Sequence, residues 1–463
     1  MTQPRLEDRS GVALEVASID ELRSGFHGAL ILPADPGYDS ARRIWNAGID
    51  RRPGLIARCS GVADVVHAVK FARAHDIPVA IRGGGHNVGG RALCDNGLVV
   101  DLSGMTAVLV DAERRTALVQ AGATLADVDR ETHVYGLAVP LGVVSRTGVA
   151  GLTLGGGVGW LVRKYGLTCD NVLSFQLVTA EGELVTASAG SHPDLFWALR
   201  GGGGNFGIVT SFLYRAYPVS TVLGGLIVYP RDQAGPVLRN FRDFVATTSD
   251  ELTVYAALIT APDGAPAVAV VACHCGEPAA AERELAPLRH FGTPLVDAIQ
   301  RMPMPAMQKL LDDAFPDGTR NYWKSTFVTG LDDGLIDTIV EHANRARSPL
   351  TAVVLEFYGG AASRVGVGDT AFAPRQPQFD VGIMAQWTDP AEAAEHTAWT
   401  RALYDAVQPR SSGGVLLNFL SEQESPDAIR AAFGANYPRL REVKRKYDPT
   451  NFFRINQNIQ PAA

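Results

Sequence analysis

Ile81-Arg82-Gly83-Gly84-Gly85-His86-Asn87 is the stretch on which the reading of this chain turns. It follows the short apolar run Ile77-Pro78-Val79-Ala80-Ile81, which has the composition of a buried strand. Glycine accepts positive φ and lets backbone come close to another group, at the highest entropic cost of any residue. A plain surface turn does not need three in a row. A turn whose successive N–H groups cradle a phosphate or another cofactor group does.

Two further glycine clusters lie downstream. Residues 82–97, 142–166 and 201–207 together hold 19 of the chain's 48 glycines. There is no Gly-X-Y period, which excludes collagen. The clusters sit in apolar sequence, which excludes flexible linkers. The second, Val144 to Trp160, holds so much glycine that it reads as an extended loop lying along a ligand. The third contains Gly202-Gly203-Gly204-Asn205-Phe206-Gly207, a literal Gly-x-Gly-x-x-Gly. A dinucleotide fingerprint follows a strand and opens a helix. Here a helix precedes and a strand follows, so a Rossmann site is rejected, and a P-loop lacks its Gly-Lys-Ser/Thr.

The 463 residues carry a net charge of −7 and 46% hydrophobic residues. That balance gives no pull toward nucleic acid or anionic membrane. Five scattered cysteines make no disulfide framework. Cys273-His274-Cys275 continues an apolar strand-like run, so no metal site is expected there. No apolar stretch is long enough to span a membrane, no signal-peptide core is visible, and a cytoplasmic location is expected.

The first part alternates helices (62–75, 124–135, 192–199) with strands (77–81, 98–102, 108–111, 116–120, 172–179, 184–186, 208–214). Ser60 and Thr124 are candidate caps for the first two helices. Past Pro218, strands at 226–229, 252–259, 267–275, 353–357 and 379–387 alternate with helices at 232–246, 335–345 and 391–407. This predicts an α+β fold of two domains, the second built on an antiparallel sheet backed by helices. The expected division is 1–218, 219–410 and a C-terminal segment 411–463.

The motifs resemble the berberine-bridge-enzyme-like flavin oxidases of the vanillyl-alcohol-oxidase superfamily. The resemblance rests on Ile81–Asn87, Val144–Trp160, Asp194–Gly207 and the C-terminal Asn436–Leu440 with Tyr447–Ile459, and covers nearly all of the chain from Arg43. It implies a two-domain PCMH-type FAD-binding fold in which the C-terminal segment returns to the FAD domain. It implies that His86 bonds covalently to the flavin 8α-methyl carbon. Bicovalent members carry a cysteine where this chain has Val144, so a single histidyl link and no cysteinyl link is expected. Arg82, Gly83, Gly84, Gly85 and Asn87, then Ser145, Thr147, Gly148, Val149, Gly151 and Gly155, then Asn205, Gly207 and Ile208, and Asn456 and Asn458 in the tail match the cofactor-contacting segments. Thr147 matches the position that gates oxygen.

The same resemblance implies hydride transfer from a small organic substrate (an alcohol, amine, sugar or secondary metabolite) to flavin N5. Molecular oxygen, reduced to H2O2, is the other small-molecule partner. A dehydrogenase with a different acceptor and a non-catalytic flavin-holding protein are the alternatives. A base must remove the second proton. In Val353-Val354-Leu355-Glu356-Phe357-Tyr358 the period of two places Glu356 and Tyr358 on one face of a strand. A carboxylate there is either functional or paired, for instance with Lys324. Asn418 matches a polar position over the flavin, while Leu416 stands where relatives carry a tyrosine base. Trp323 is expected in the core, Trp160 in the core or on the site wall, and His27, His67, His133 and His396 at the surface.

Overall fold

The computed structural model describes residues 5–376, 378–421 and 425–463. Strands Ala29–Ile31 (β1), Leu55–Arg58 (β2), Val79–Arg82 (β3) and Leu98–Asp101 (β4) form one sheet in the order β1-β2-β4-β3. β2 and β3 both run parallel to β4. Parallel neighbours need a crossover, and helix Val62–Ala74 provides one between β2 and β3. Gly61, not Ser60, caps that helix. Ser60 instead donates its N–H and hydroxyl to Asp64 at 2.8 and 2.7 Å. Thr124 does cap Leu125–His133, in a capping box with Asp127.

A second, antiparallel sheet orders Val108–Asp111 (β5), Thr116–Gln120 (β6), Val172–Val178 (β7), Leu184–Ser188 (β8) and Ile208–Arg215 (β9) as β5-β6-β9-β7-β8. The third comprises Thr221–Pro230 (β10), Leu252–Thr260 (β11), Pro266–His274 (β12), Val296–Asp297 (β13), Gln300–Pro303 (β14), Arg320–Val328 (β15), Ala352–Tyr358 (β16) and Gln378–Trp387 (β17). Its order is β13-β10-β12-β11-β16-β17-β15, with β14 also on β10. The α+β class and the antiparallel sheet are as the sequence predicts.

Helices Ala234–Val245, Pro278–Arg289, Asp333–Ala343 and Ala393–Val407 bury one face of the third sheet in a core of their own. A separate core joins the first two sheets to Leu440, Val443, Phe452, Phe453 and Ile459 of the tail. The tail is clamped there by Lys444, which is buried. Its ammonium donates to Asp448 at 2.7 Å and to the carbonyls of Asn205 and Phe453 at 2.7 and 2.8 Å. Asn205 in turn donates to Gln457 O and accepts the N–H of Ile459.

Two local expectations change. Val149–Leu154 is a short helix within the second glycine cluster, because only its end, from Gly155 to Gly159, is too glycine-rich to be helical. His396 is buried against Trp387, ring centroids 5.1 Å apart, rather than at the surface. His274 is bonded within the fold, to Glu284 at 3.0 Å and the N–H of Gly276. No helix among the described residues is long and apolar enough to cross a membrane.

Candidate active site

The open face of the third sheet looks toward the glycine clusters across a cavity of about 2110 Å³, counting its mouth. Gly83, Gly84 and Gly85 enter it from the end of β3, Gly148, Gly151 and Gly155 from the second cluster, and Gly203, Gly204 and Gly207 from the third. The first two clusters touch backbone to backbone. A Cβ on Gly84 would stand 2.5 Å from Gly148 Cα, closer than any side chain tolerates. A Cβ on Gly155 would stand 2.4 Å from Oδ1 of Asn418, whose Nδ2 donates to Gly151 O at 3.1 Å.

His86 lines the cavity and is half-buried, and its Nε2 is buried without a hydrogen-bond partner. Burial pushes its imidazole down to about 4, so the ring is neutral at ordinary pH. Trp45 lies against it, centroids 4.3 Å apart and planes 14° from parallel. Trp45 meets Trp323 edge-on at 5.3 Å, and Trp323 meets Phe315 and Phe419 at 5.7 and 5.5 Å. Phe315, Trp323 and Phe419 all line the cavity.

The sheet wall follows from strand register. Trp323, Met384 and Ala352 form one row across β15, β17 and β16. Ser325, Gly382, Val354 and Ala257 form the next. Phe327, Asp380, Glu356, Tyr255 and Val271 form the third, across β15, β17, β16, β11 and β12. Lys324 belongs to the opposite face, its ammonium 4.5 Å from the centroid of the Tyr404 ring, so it does not pair with Glu356.

Glu356 faces the cavity and accepts the Tyr358 hydroxyl at 2.7 Å. Burial pushes its carboxyl up to about 7, against the lowering effect of that hydrogen bond. Asp380, directly opposite on β17, has no exposed surface; among the described residues no group makes a full hydrogen bond to its carboxyl oxygens, though the Ser325 hydroxyl, in the neighbouring row on β15, is near enough to lower its proton affinity. Burial, and then the Glu356 charge beside it, push Asp380 well above the carboxylate range. Burial likewise holds the Tyr358 and Tyr255 hydroxyls protonated.

Residues 53–188 match the family profile described as an FAD binding domain, and residues 416–460 match that described as berberine and berberine like. YgaK, an FAD-linked oxidoreductase of Bacillus subtilis, is 33% identical over 94% of this chain and 97% of its own. The chain belongs to the berberine-bridge-like FAD-linked oxidoreductases. (R)-6-hydroxynicotine oxidase of Paenarthrobacter nicotinovorans is 32% identical, over 94% of this chain and 97% of its own. The crystal structure of 6-hydroxy-D-nicotine oxidase from Arthrobacter nicotinovorans superposes with a TM-score of 0.86 at 31% identity, covering 94% of this chain and 98% of that one. A chitooligosaccharide oxidase shares the fold, with a TM-score of 0.83 at 22% identity.

The residues of this oxidoreductase fit the flavin dinucleotide its family binds. Besides the orphaned Nε2 of His86, Oδ1 of Asn456 is buried without a partner. Gly151 and Gly204 line the cavity with no atom within 4 Å of where a Cβ would stand, so a side chain there would take ligand space.

Of the residues singled out by sequence, His86, Gly83, Gly84, Gly85, Asn87, Thr147, Gly148, Gly151, Gly155, Gly207, Ile208, Glu356, Asn418 and Asn456 line the cavity. Six do not. Arg82 is buried and pairs with Asp101 at 2.5 Å, holding the glycine turn from below. Ser145 donates its N–H and hydroxyl to Asp312. Asn205 ties down the tail, Val149 packs in the core, and Tyr358 sits behind Glu356. Asn458 lines a neighbouring cleft with Arg51, Arg91 and Arg454.

Trp323 is in the core as expected, buried with Trp45, Phe315 and Met384, and its ring also forms part of the cavity wall. Trp160 is fully buried, tilted against Tyr255 at 5.3 Å. None of the five cysteines lines the cavity, and Val144 does. Sequence reasoning missed Trp45, Phe315, Tyr255 and Asp380. The alternation of Phe379-Asp380-Val381-Gly382 within a long apolar run was the available signal for Asp380.

Proposed function

We propose that this oxidoreductase is an oxidase holding its FAD through one covalent bond, from His86 to the 8α-methyl carbon. The observation that carries the reading is the buried Nε2 of His86, unpartnered on a neutral ring, at a cavity entered by all three glycine clusters. A neutral imidazole is the nucleophilic form, and Trp45 holds the ring in one plane. Val144 and the absence of any cysteine from the cavity lining support a single link.

The bound flavin supplies hydride acceptance from substrate and delivery of two electrons to dioxygen, giving H2O2. The glycine turns bring backbone up to the cofactor, and residues 1–218 with 411–463 make its domain. Residues 219–410 supply the substrate wall, whose aromatic rows exclude water and position the substrate. Glu356 takes the proton that leaves with the hydride; Tyr358 fixes the orientation of its carboxylate. Thr147, small and on the cavity, leaves room for dioxygen.

Purified protein, denatured and run on a gel, is expected to keep flavin fluorescence with the polypeptide. Loss of the colour to the supernatant on acid precipitation would overturn the covalent link. Anaerobic photoreduction followed by air should reoxidise the flavin within seconds. Flavin that stays reduced for minutes would assign another electron acceptor.

A further inference from the structure

Resting on the covalent attachment proposed above, we infer that Asp312 is a positioning residue for that attachment. It locks the cavity-facing turn Val144–Thr147, while its own segment holds Trp45 against His86. The turn is closed by the Thr147 N–H on Val144 O at 3.1 Å. Val144 and Thr147 line the cavity, and Ser145 and Arg146 do not. Helix Leu125–His133 takes up the turn's carbonyls. The N–H groups of Leu125 and Ala126 donate to Thr147 O and Ser145 O, each at 2.9 Å.

The turn's donors look the other way. Ser145 is 3% exposed, and buried donors are rarely left without an acceptor. Both of its donors reach one carboxylate, 167 residues on: the N–H meets Asp312 Oδ1 at 2.8 Å and the hydroxyl meets Oδ2 at 2.6 Å. Hydrogen bonds to a carboxylate are shorter and stronger than those to a neutral oxygen, and two of them fix direction as well as distance. Arg146 grips the same segment, its Nη2 donating to Asp312 O at 2.7 Å and to Phe315 O at 3.4 Å. Just ahead of the turn, buried Gln308 donates to Gly142 O at 2.8 Å. The turn's outward bonds thus come from the part of the chain that carries the third sheet.

The same segment reaches His86. Phe315 O accepts Trp45 Nε1–H at 3.1 Å, and Trp45 stacks on the imidazole. The charges of Arg146 and Asp312 both act on the His86 ring, in opposite directions. Leu311, Ala314 and Phe315 line the cavity beside it. Residues 308–315 therefore hold two surfaces in one relation: the turn that faces the cofactor and the ring that bonds to it. Attachment joins a His86 ring nitrogen to the 8α carbon. One proton leaves the imidazole and one the methyl group, and the two electrons of the broken C–H bond pass through flavin to dioxygen, giving H2O2. The rate of such a step depends on how closely the two partners are held in line. Asp312 makes that alignment depend on the third-sheet part of the chain being seated on the glycine clusters.

The test adds FAD to full-chain apoprotein and follows the covalent flavin fraction against time over a range of FAD concentrations. Asp312→Ala is expected to lower the limiting rate about tenfold or more, with the FAD concentration for half that rate within about threefold of wild type. Asp312→Asn keeps an oxygen for the Ser145 N–H and an amide for its hydroxyl, and should recover most of the rate. Ser145→Ala should slow attachment by itself and change little in the Asp312→Ala background. An unchanged limiting rate in Asp312→Ala, equal losses in Asp312→Asn and Asp312→Ala, or a loss that tracks FAD affinity alone would overturn the proposal. Hydrogen–deuterium exchange of the same apoproteins gives a second readout. Residues 142–147 should exchange faster in Asp312→Ala while helix Leu125–His133 keeps its protection. Unchanged exchange over 142–147 would overturn the clamp. A wild-type protein that forms no covalent bond would sink the covalent reading instead, and exchange would still decide whether Asp312 holds the turn.

Discussion

His86 and Trp45 stack face to face at 4.3 Å, although they come from different glycine-turn and loop segments and neither is in a helix or strand. Trp45 is itself pinned by donating Nε1–H to Phe315 O at 3.1 Å. The His86 ring is thus positioned by aromatic packing rather than by a hydrogen bond to Nε2. His86→Ala should abolish in-gel flavin fluorescence after denaturation while FAD still co-purifies noncovalently. Trp45→Leu should keep the bond but slow its formation, read as a lower covalent fraction at early times after adding FAD to apoprotein.

Glu356 sets a pH dependence. Its carboxyl goes from 4.5 to about 7 on folding. The native state therefore binds more protons than the unfolded state between those values, and this group's contribution to stability falls as pH rises through them. The deprotonated fraction able to accept a proton grows over the same window. Turnover per substrate, kcat/KM, should rise toward pH 7 and level off above it. Glu356→Gln should flatten that rise and lower kcat/KM by about 100-fold or more. An unchanged profile would remove Glu356 from proton transfer.

Two glycines separate folding from cofactor space. Gly84→Ala drives a methyl into Gly148 backbone, so the apoprotein itself should lose stability, by about 2 kcal/mol or more, in a denaturant melt. Gly151→Ala meets no protein atom within 4 Å, so its apoprotein should melt like wild type. Its affinity for FAD should nevertheless fall. Equal effects of the two changes on apoprotein stability would contradict the close approach of the first two clusters.

Lys444 holds the tail with three hydrogen bonds, one of them to buried Asp448, and burial lowers its own proton affinity. Lys444→Met leaves that aspartate uncompensated, which costs about 3–5 kcal/mol. The tail beyond 447 should become a protease target, and FAD retention should drop with it because Gln457 and Asn456 line the cavity. Intact retention after limited proteolysis would show that the tail is dispensable.

Much of this protein is determined by its sequence alone. Three glycine clusters in apolar sequence demand close backbone approach, and backbone conformational limits make that demand legible wherever glycines gather. Period-two patterning placed Glu356 and Tyr358 on one face and marked most strands of the third sheet, because alternation is a local property of a strand. Helix Pro278–Arg289 escaped because Pro287 interrupts its pattern. Register and convergence are different in kind. Asp380 becomes Glu356's partner only when β17 pairs with β16 at one register, and a slip of one residue would turn it to the other face. Trp45, His86, Phe315 and Trp323 meet only when loops from distant parts of the chain are packed against strand β15. Trp45 lies 41 residues from His86 and 278 from Trp323, so no local preference encodes these contacts. The tertiary structure alone set Asp380 beside Glu356, because strand pairing joins residues that no local preference couples.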